Sequence, residues 1–249
     1  MFPFRDHNPS STTPVVTMTL IALNVLVFVL SLSATGSERA TYAFYNDWAL
    51  VPAYVTSGQH LYSVITSMFL HGGFMHLAGN MLFLWIFGDN LEDEMGHVGF
   101  LLFYLAAGAV AAAAQVAAGP YSQVPMLGAS GAIAGVMGGY LLLYPKARVD
   151  VLFFIVIFVQ VIAVPAWVVL SIWFVVQLFS GIGAADMAGG VAYWAHAGGF
   201  VAGIAFTLPI WLRRGGAGYW TRTQGAPPHA PARYRIGRSH VPTVRRHRR

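Results

Sequence analysis

From Val15 to Leu32 the chain is apolar at every position except Thr17, Thr19, Asn24 and Ser31. That run is long enough for a membrane-spanning helix and exceeds the apolar core of a cleaved signal peptide. Further apolar runs follow from about Gly73 to Gly88, Val98 to Ala118, Ser130 to Tyr144, Pro165 to Leu178 and Val191 to Leu212. Helix-breaking or charged stretches separate them. The acidic stretch Asp89 to Gly96 predicts a turn, Gly119 to Leu127 carries Pro120 and Pro125, and Pro145, Lys146 and Arg148 close the fourth run. Gly181 to Gly190 is a glycine-rich loop before the sixth run. Two segments do not follow the pattern. Ser33 to His60 mixes charge, glycine and aromatics, as a segment at the water–lipid boundary does. Val149 to Val164 is apolar and β-branched, and it reads either as an interfacial segment or as a seventh span.

Composition agrees with the pattern: 57% of the 249 residues are hydrophobic and 9% are charged, against about 25% charged in an average soluble domain. The expected fold class is an all-α polytopic membrane protein. It divides into an N-terminal cytoplasmic segment (1–14), a six-span domain (15–212) and a basic, disordered cytoplasmic tail (213–249). Ten of the 14 Lys and Arg residues lie from Arg213 onward. With six spans, these ten fall on one side of the membrane together with Arg5, Lys146 and Arg148, and only Arg39 lies opposite. That side is cytoplasmic by the positive-inside rule, and a basic flank after a span meets anionic membrane lipid rather than nucleic acid. The chain has no cysteine, so thiolate nucleophiles and thiolate metal sites are excluded. Any chemistry must use Ser, His or carboxylates.

Depth can be counted from the cytoplasmic ends. At about 1.5 Å per helical residue, Ser130 lies about 22 Å, His196 about 26 Å and His76 about 20 Å from the charged residue or proline that closes its span. In a hydrocarbon core about 30 Å thick the three share one level, a few ångströms below the outer face. Polar side chains at that depth face the bundle interior and mark a functional site. Gly131 and Gly135 on the fourth span, and Gly199 and Gly203 on the sixth, form two small-residue faces that let the backbones approach. His76 and Asn80, at i and i+4, share one helical face.

Three stretches, Gly128-Ala129-Ser130-Gly131, Ala195-His196-Ala197-Gly198-Gly199 with Gly203, and His76-Leu77-Ala78-Gly79-Asn80, together resemble the motifs of the rhomboid family of intramembrane serine proteases. Gly88, Glu92 and Gly96 match that family's Gly-x-x-x-Glu-x-x-x-Gly turn. The resemblance runs roughly from Val15 to Trp211. It implies a six-transmembrane-helix rhomboid bundle in which Ser130 is the nucleophile, His196 its base, and His76, Asn80 and the Ser130 N–H stabilise the oxyanion. It also implies transmembrane protein substrates, cut near small and helix-weakening residues, with no cofactor and no metal, in a bacterial plasma membrane with both termini cytoplasmic. No carboxylate lies near His196 within its span, and Asp186 sits in the preceding loop, so the expected unit is a dyad.

The chain departs from the family pattern at two places. Tyr62 and Ser63 stand where many rhomboids carry a Trp-Arg pair, and Ala134 replaces an aromatic residue that stacks on the histidine, which leaves the group orienting His196 unnamed. His71 is expected at the interface. Two other functions remain open: a non-proteolytic rhomboid-like binder of membrane helices, and a transporter or metal site built on His71, His76 and His196.

Overall fold

The computed structural model describes residues 2–8, 10–155, 158–183 and 192–227, with the backbone alone at 2, 153–155, 158, 159 and 183. The expected loop residue Asp186, the start of the sixth run at Val191 and the far tail lie outside the described residues. A short strand, β1 (Phe2–Asp6), precedes the first long apolar helix, α1 (Val15–Ala34). The boundary segment folds as α2 (Glu38–Trp48), α3 (Pro52–Thr56), α4 (Ser63–Thr66) and a 3-10 turn at Ser67–Phe69. Pro52 sits at the start of α3, where its fixed φ and missing N–H cost nothing.

The second and third runs form one bent element, α5 (Phe74–Ala118), broken only at Gly96, whose φ of 73° belongs to the left-handed region that glycine adopts at little cost. Asp89 to Met95, expected as a turn, is therefore helical, and the reversal is confined to Gly96. The Gly-x-x-x-Glu-x-x-x-Gly pattern has a structural explanation here. A side chain at Gly88 would press on Thr17 of α1 at 3.0 Å. The Glu92 carboxylate accepts from the N–H groups of Val16 and Thr17 and from the Thr17 hydroxyl, each at 2.8 Å. It thereby satisfies the free donors at the positive end of α1.

α6 (Ser130–Leu143) stands at the centre, buried at nearly every position from Gly131 to Tyr140, between α5 and α8 (Tyr193–Arg213). The side-chain core beside it includes Phe87, Phe100, Tyr104 and Tyr140, all fully buried. α6 is about 21 Å long at 1.5 Å per residue, shorter than the roughly 30 Å hydrocarbon core. It is therefore too short to cross such a core in full. With α5 divided at Gly96, α1, the two halves of α5, α6, α7 (Ala166–Gly183) and α8 are the apolar helices among the described residues.

Two stretches correct the sequence reading. Val149 to Val164 is not a seventh span: β2 (Arg148–Ile155) and β3 (Phe158–Pro165) pair as an antiparallel hairpin. β1 adds to the other edge of β2, with Phe2 opposite Leu152 and Asp6 opposite Val149, so the N-terminal segment closes a three-stranded sheet in the order β1-β2-β3. The β-branched run, long enough to suggest a span, satisfies its backbone by pairing with itself. The tail, expected to be disordered, begins with a helix, α9 (Ala217–Thr223). Its Trp220 donates to the Leu142 carbonyl at 2.9 Å and packs on Trp211, holding the chain against the C-terminal ends of α6 and α8.

Candidate active site

Ser130 opens α6, and no side chain caps that helix. The serine hydroxyl is therefore not consumed by the helix end, and the first N–H groups of α6 have no intrahelical acceptor. The loop before it is fixed twice. Met126 and Leu50 exchange backbone hydrogen bonds at 2.7 and 2.9 Å, and the Gly128 N–H donates to the Ser67 carbonyl at 2.9 Å.

α8 brings His196 to the serine. The Ser130 hydroxyl donates to His196 Nε2 at 2.8 Å, and the ring is 7% exposed. The approach depends on the small-residue faces: a side chain at Gly199 would strike the Gly131 carbonyl oxygen, and one at Gly203 the Gly135 carbonyl oxygen. From α5, Ala111 and Ala107 pack on Gly131 and Gly135, and the Gln115 side chain accepts from the Ala195 N–H at 3.2 Å, holding the start of α8.

The second nitrogen of His196 has a partner that the sequence reading leaves unnamed. With Nε2 accepting from Ser130, Nδ1 carries the proton, and it donates to Gln177 Oε1 on α7 at 2.8 Å. One turn earlier on the same helix, Trp173 lies against the imidazole with ring centres 5.7 Å apart. The signal was present in the sequence, since Gln177 is the lone amide in a run of apolar residues and polar groups in a span point inward.

His76 and Asn80 come from the first half of α5 and lie over Gly128. A side chain at Gly128 would meet the His76 ring at 2.8 Å and the Asn80 amide nitrogen at 3.6 Å, and its φ of 125° also favours glycine. The Asn80 amide nitrogen is buried and has no hydrogen-bond partner among the described residues. A buried donor without an acceptor is costly and calls for an explanation, of which a transient ligand oxygen is one. His76, Asn80, Ser130, Trp173 and His196 all line one cavity of about 490 Å³. His71, expected at the interface, is 2% exposed, with its ring edge-on to His76 at 5.2 Å. Among the described residues no group of three or more His or acidic side chains is placed to hold a metal.

At the two departures from the family pattern, Tyr62 donates to the Asp47 carbonyl at 2.9 Å and packs on His60, while Ser63 is fully buried beneath it. Ala134, fully buried, leaves the side of His196 to Trp173.

Known proteins with this sequence pattern can be set beside the geometry. The family model of the rhomboid domain matches residues 58–213. Rhomboid protease GluP of Bacillus subtilis is 38% identical over 128 residues, covering 51% of this chain and 24% of that protein. Rhomboid protein 1, mitochondrial, of Saccharomyces cerevisiae is 32% identical over 192 residues, 75% of this chain and 51% of that protein. The presenilin-associated rhomboid-like protein, mitochondrial, of Bos taurus is 34% identical over 94 residues, 36% of this chain and 24% of that protein. The matched segments thus span between a quarter and a half of those relatives. The matched domain runs from before the His76–Asn80 pair to the end of α8 and contains Ser130 and His196, so the chain is an integral membrane protein that belongs to the rhomboid family.

Proposed function

We propose that this protein is an intramembrane serine endopeptidase that hydrolyses peptide bonds in or near the transmembrane segments of other membrane proteins. The observation that carries the reading is the 2.8 Å contact between Ser130 Oγ and His196 Nε2 inside a cavity lined by an unpartnered Asn80 donor. The names of two relatives, a rhomboid protease and a mitochondrial rhomboid protein, support the class of reaction and lead to no particular substrate.

In this mechanism His196 Nε2 takes the Ser130 proton as Oγ attacks the scissile carbonyl carbon. Gln177 holds the proton on Nδ1, so that Nε2 enters the step as an acceptor, and it receives a charge-assisted bond once the ring becomes imidazolium. The carbonyl oxygen gains negative charge as the tetrahedral intermediate forms. The Asn80 amide, His76 and the Ser130 N–H at the positive end of α6 are the donors available to it. His196 then returns its proton to the leaving amine, the C–N bond breaks, and an acyl-Ser130 remains. A water molecule, deprotonated by His196, attacks that ester, releases the carboxylate product and restores the serine. A membrane helix hides its carbonyls in hydrogen bonds, so the substrate must unwind locally before this can occur; small and helix-weakening residues near the cut would favour it.

The charge distribution supports cytoplasmic termini, with the cavity opening toward the opposite face. A non-proteolytic binder of membrane helices would have no use for the Ser130–His196 contact. The deciding experiment uses purified protein in proteoliposomes with a reporter transmembrane substrate. Cleavage is expected for the wild type and is lost in Ser130→Ala and in His196→Ala, with no further loss in the double variant because the two groups act as a unit. Near-wild-type turnover in either single variant would remove the dyad.

A further inference from the structure

A second cavity lies on the opposite, arginine-flanked side of the molecule. It has a volume of about 540 Å³ and runs between the second half of α5 and the end of α8. On α5 its wall is formed by Gly99, Leu102, Phe103 and Ala106, spaced i, i+3, i+4 and i+7 and therefore on one helical face. Phe206 and Ile210 of α8 face them. The rim is apolar and open to the side, since Leu102 is 62% and Phe206 is 41% exposed. At the cytoplasmic end the chemistry changes. Arg214 Nε donates to Glu94 Oε1 at 2.6 Å, which neutralises both groups, whereas the neighbouring Arg213 has no ion-pair partner among the described residues. Arg222 of α9 donates to the Arg214 carbonyl, adding a third guanidinium close by.

We propose that this groove holds one anionic phospholipid, with an acyl chain along the α5–α8 cleft and the headgroup phosphate on Arg213. Charge complementarity selects the headgroup. A guanidinium binds phosphate through paired N–H donors, whereas a choline headgroup would bring a second cation beside it. Depth selects a lipid over a soluble anion. The apolar wall covers about 10 Å of helix axis directly beneath the arginines, a length of hydrocarbon-facing cleft that a free phosphate leaves empty. The Glu94–Arg214 pair lines the polar end of the cleft and closes it there, its charges already matched to one another. Basic pockets between helices on a cytoplasmic face are suited to this class of ligand.

The test is native mass spectrometry of the delipidated full chain in detergent, incubated with phosphatidylglycerol, phosphatidylcholine or glycerol phosphate. One phosphatidylglycerol is expected to stay bound in preference to phosphatidylcholine, with glycerol phosphate failing to compete for it. Arg213→Gln should weaken phosphatidylglycerol retention about five-fold, the equivalent of about 1 kcal/mol for one basic side chain at a membrane surface. It should leave phosphatidylcholine unchanged. Ala106→Trp, which fills the cleft without altering charge, should lose both lipids. Arg148→Gln removes an equal charge at the start of β2, away from the groove, and should behave as wild type. Wild-type retention by Ala106→Trp, an equal loss in Arg148→Gln, or displacement by glycerol phosphate would each overturn the proposal.

Discussion

The contact between Gln177 and His196 can be tested apart from the dyad itself. Gln177→Met keeps the length and apolar stem of the side chain and removes the oxygen that accepts from Nδ1 at 2.8 Å. In the ground state the lost bond joins two neutral groups and is worth about 0.5–1.5 kcal/mol net. In the transition state the ring is an imidazolium, and a hydrogen bond from a charged donor is worth about 1.5–3 kcal/mol. The difference between the two, about 1–1.5 kcal/mol, is what kcat reads, and at about 1.4 kcal/mol per decade it predicts a fall in kcat of roughly five- to twelve-fold. KM should change little, because Gln177 sits behind the imidazole and not on the substrate side. Gln177→Glu keeps an acceptor at the same reach and should restore most of the rate, whereas Gln177→Asn is one methylene short and should not. Turnover of a reporter substrate in proteoliposomes gives kcat and KM, and the rate at which a fluorophosphonate acylates Ser130 gives a second readout that needs no substrate unwinding. Thermal stability of all three variants controls for loss of packing. If Gln177→Met turned over within two-fold of wild type, Gln177 would not hold the imidazole, and the orientation of His196 would have to rest on Trp173 alone.

Asn80→Ala removes a buried donor that lines the cavity, and if it serves the oxyanion, kcat should fall about 10²–10³-fold, while an unimpaired rate for both Asn80→Ala and Asn80→Asp would remove it from the site. Gly199→Val drives a side chain into the Gly131 carbonyl, so both thermal stability, by about 1–3 kcal/mol, and turnover should drop; full activity with full stability would refute the close crossing. Asp150 tests the sheet. Burial pushes its carboxyl up, but the hydrogen bonds from His7 at 2.6 Å and Arg5 at 2.7 Å outweigh it and hold the group below its ordinary value of 3.8. Because the folded state favours the ionised form, this contribution is fully present above the ordinary value and is lost as pH falls below it, so β1 should stay protected in amide exchange at pH 5–8. Asp150→Asn should expose β1 at every pH, at a cost of about 1–2 kcal/mol given that Arg5 and His7 are largely exposed and screened; unchanged exchange at β1 would show that the pairing does not depend on this carboxylate.

The sequence disclosed the helical bundle because it rests on a long-range regularity of composition. Hydrocarbon demands long apolar runs, and the length of each is its count of residues multiplied by a fixed rise. The glycine faces of α6 and α8 were legible for the same reason, since close approach in lipid needs small residues at a four-residue spacing. The hairpin was not legible. Val149 to Val164 has no period that separates a buried strand from a span, and its pairing with Phe2–Asp6 joins segments far apart in the chain. The helical course of Asp89 to Met95 was hidden by its charge, because acidic residues read as a turn until Glu92 is seen capping α1 and Asp93 is seen accepting from Ser11 and Thr12. The contact of His71 with His76 was not legible either, because His71 precedes the span and reaches His76 only through the fold of the stretch before α5.

The replacement of an aromatic by Ala134 follows from the same geometry. Ala134 is fully buried on α6, and its neighbour Gly135 lies against the Gly199 carbonyl, where a side chain would approach to 3.2 Å. A large ring on α6 is one way to brace the histidine; this chain does it from α7. Trp173 lies against the imidazole and Gln177, one turn later on the same helix face, accepts a hydrogen bond from its Nδ1–H, so a single helix supplies both the steric and the polar restraint. The consequence is mechanical. When the ring and its partner both belong to α7, any displacement of α7 changes the tautomer and tilt of His196 together, which it would not do if the brace stood on α6 beside the serine. On the proposed mechanism, the reactivity of Ser130 should therefore follow the position of α7. A disulfide tying α7 to α8, the helix it packs on, introduced into a chain that has no cysteine of its own, should change the rate of Ser130 acylation only to the extent that it moves Gln177 from its 2.8 Å contact.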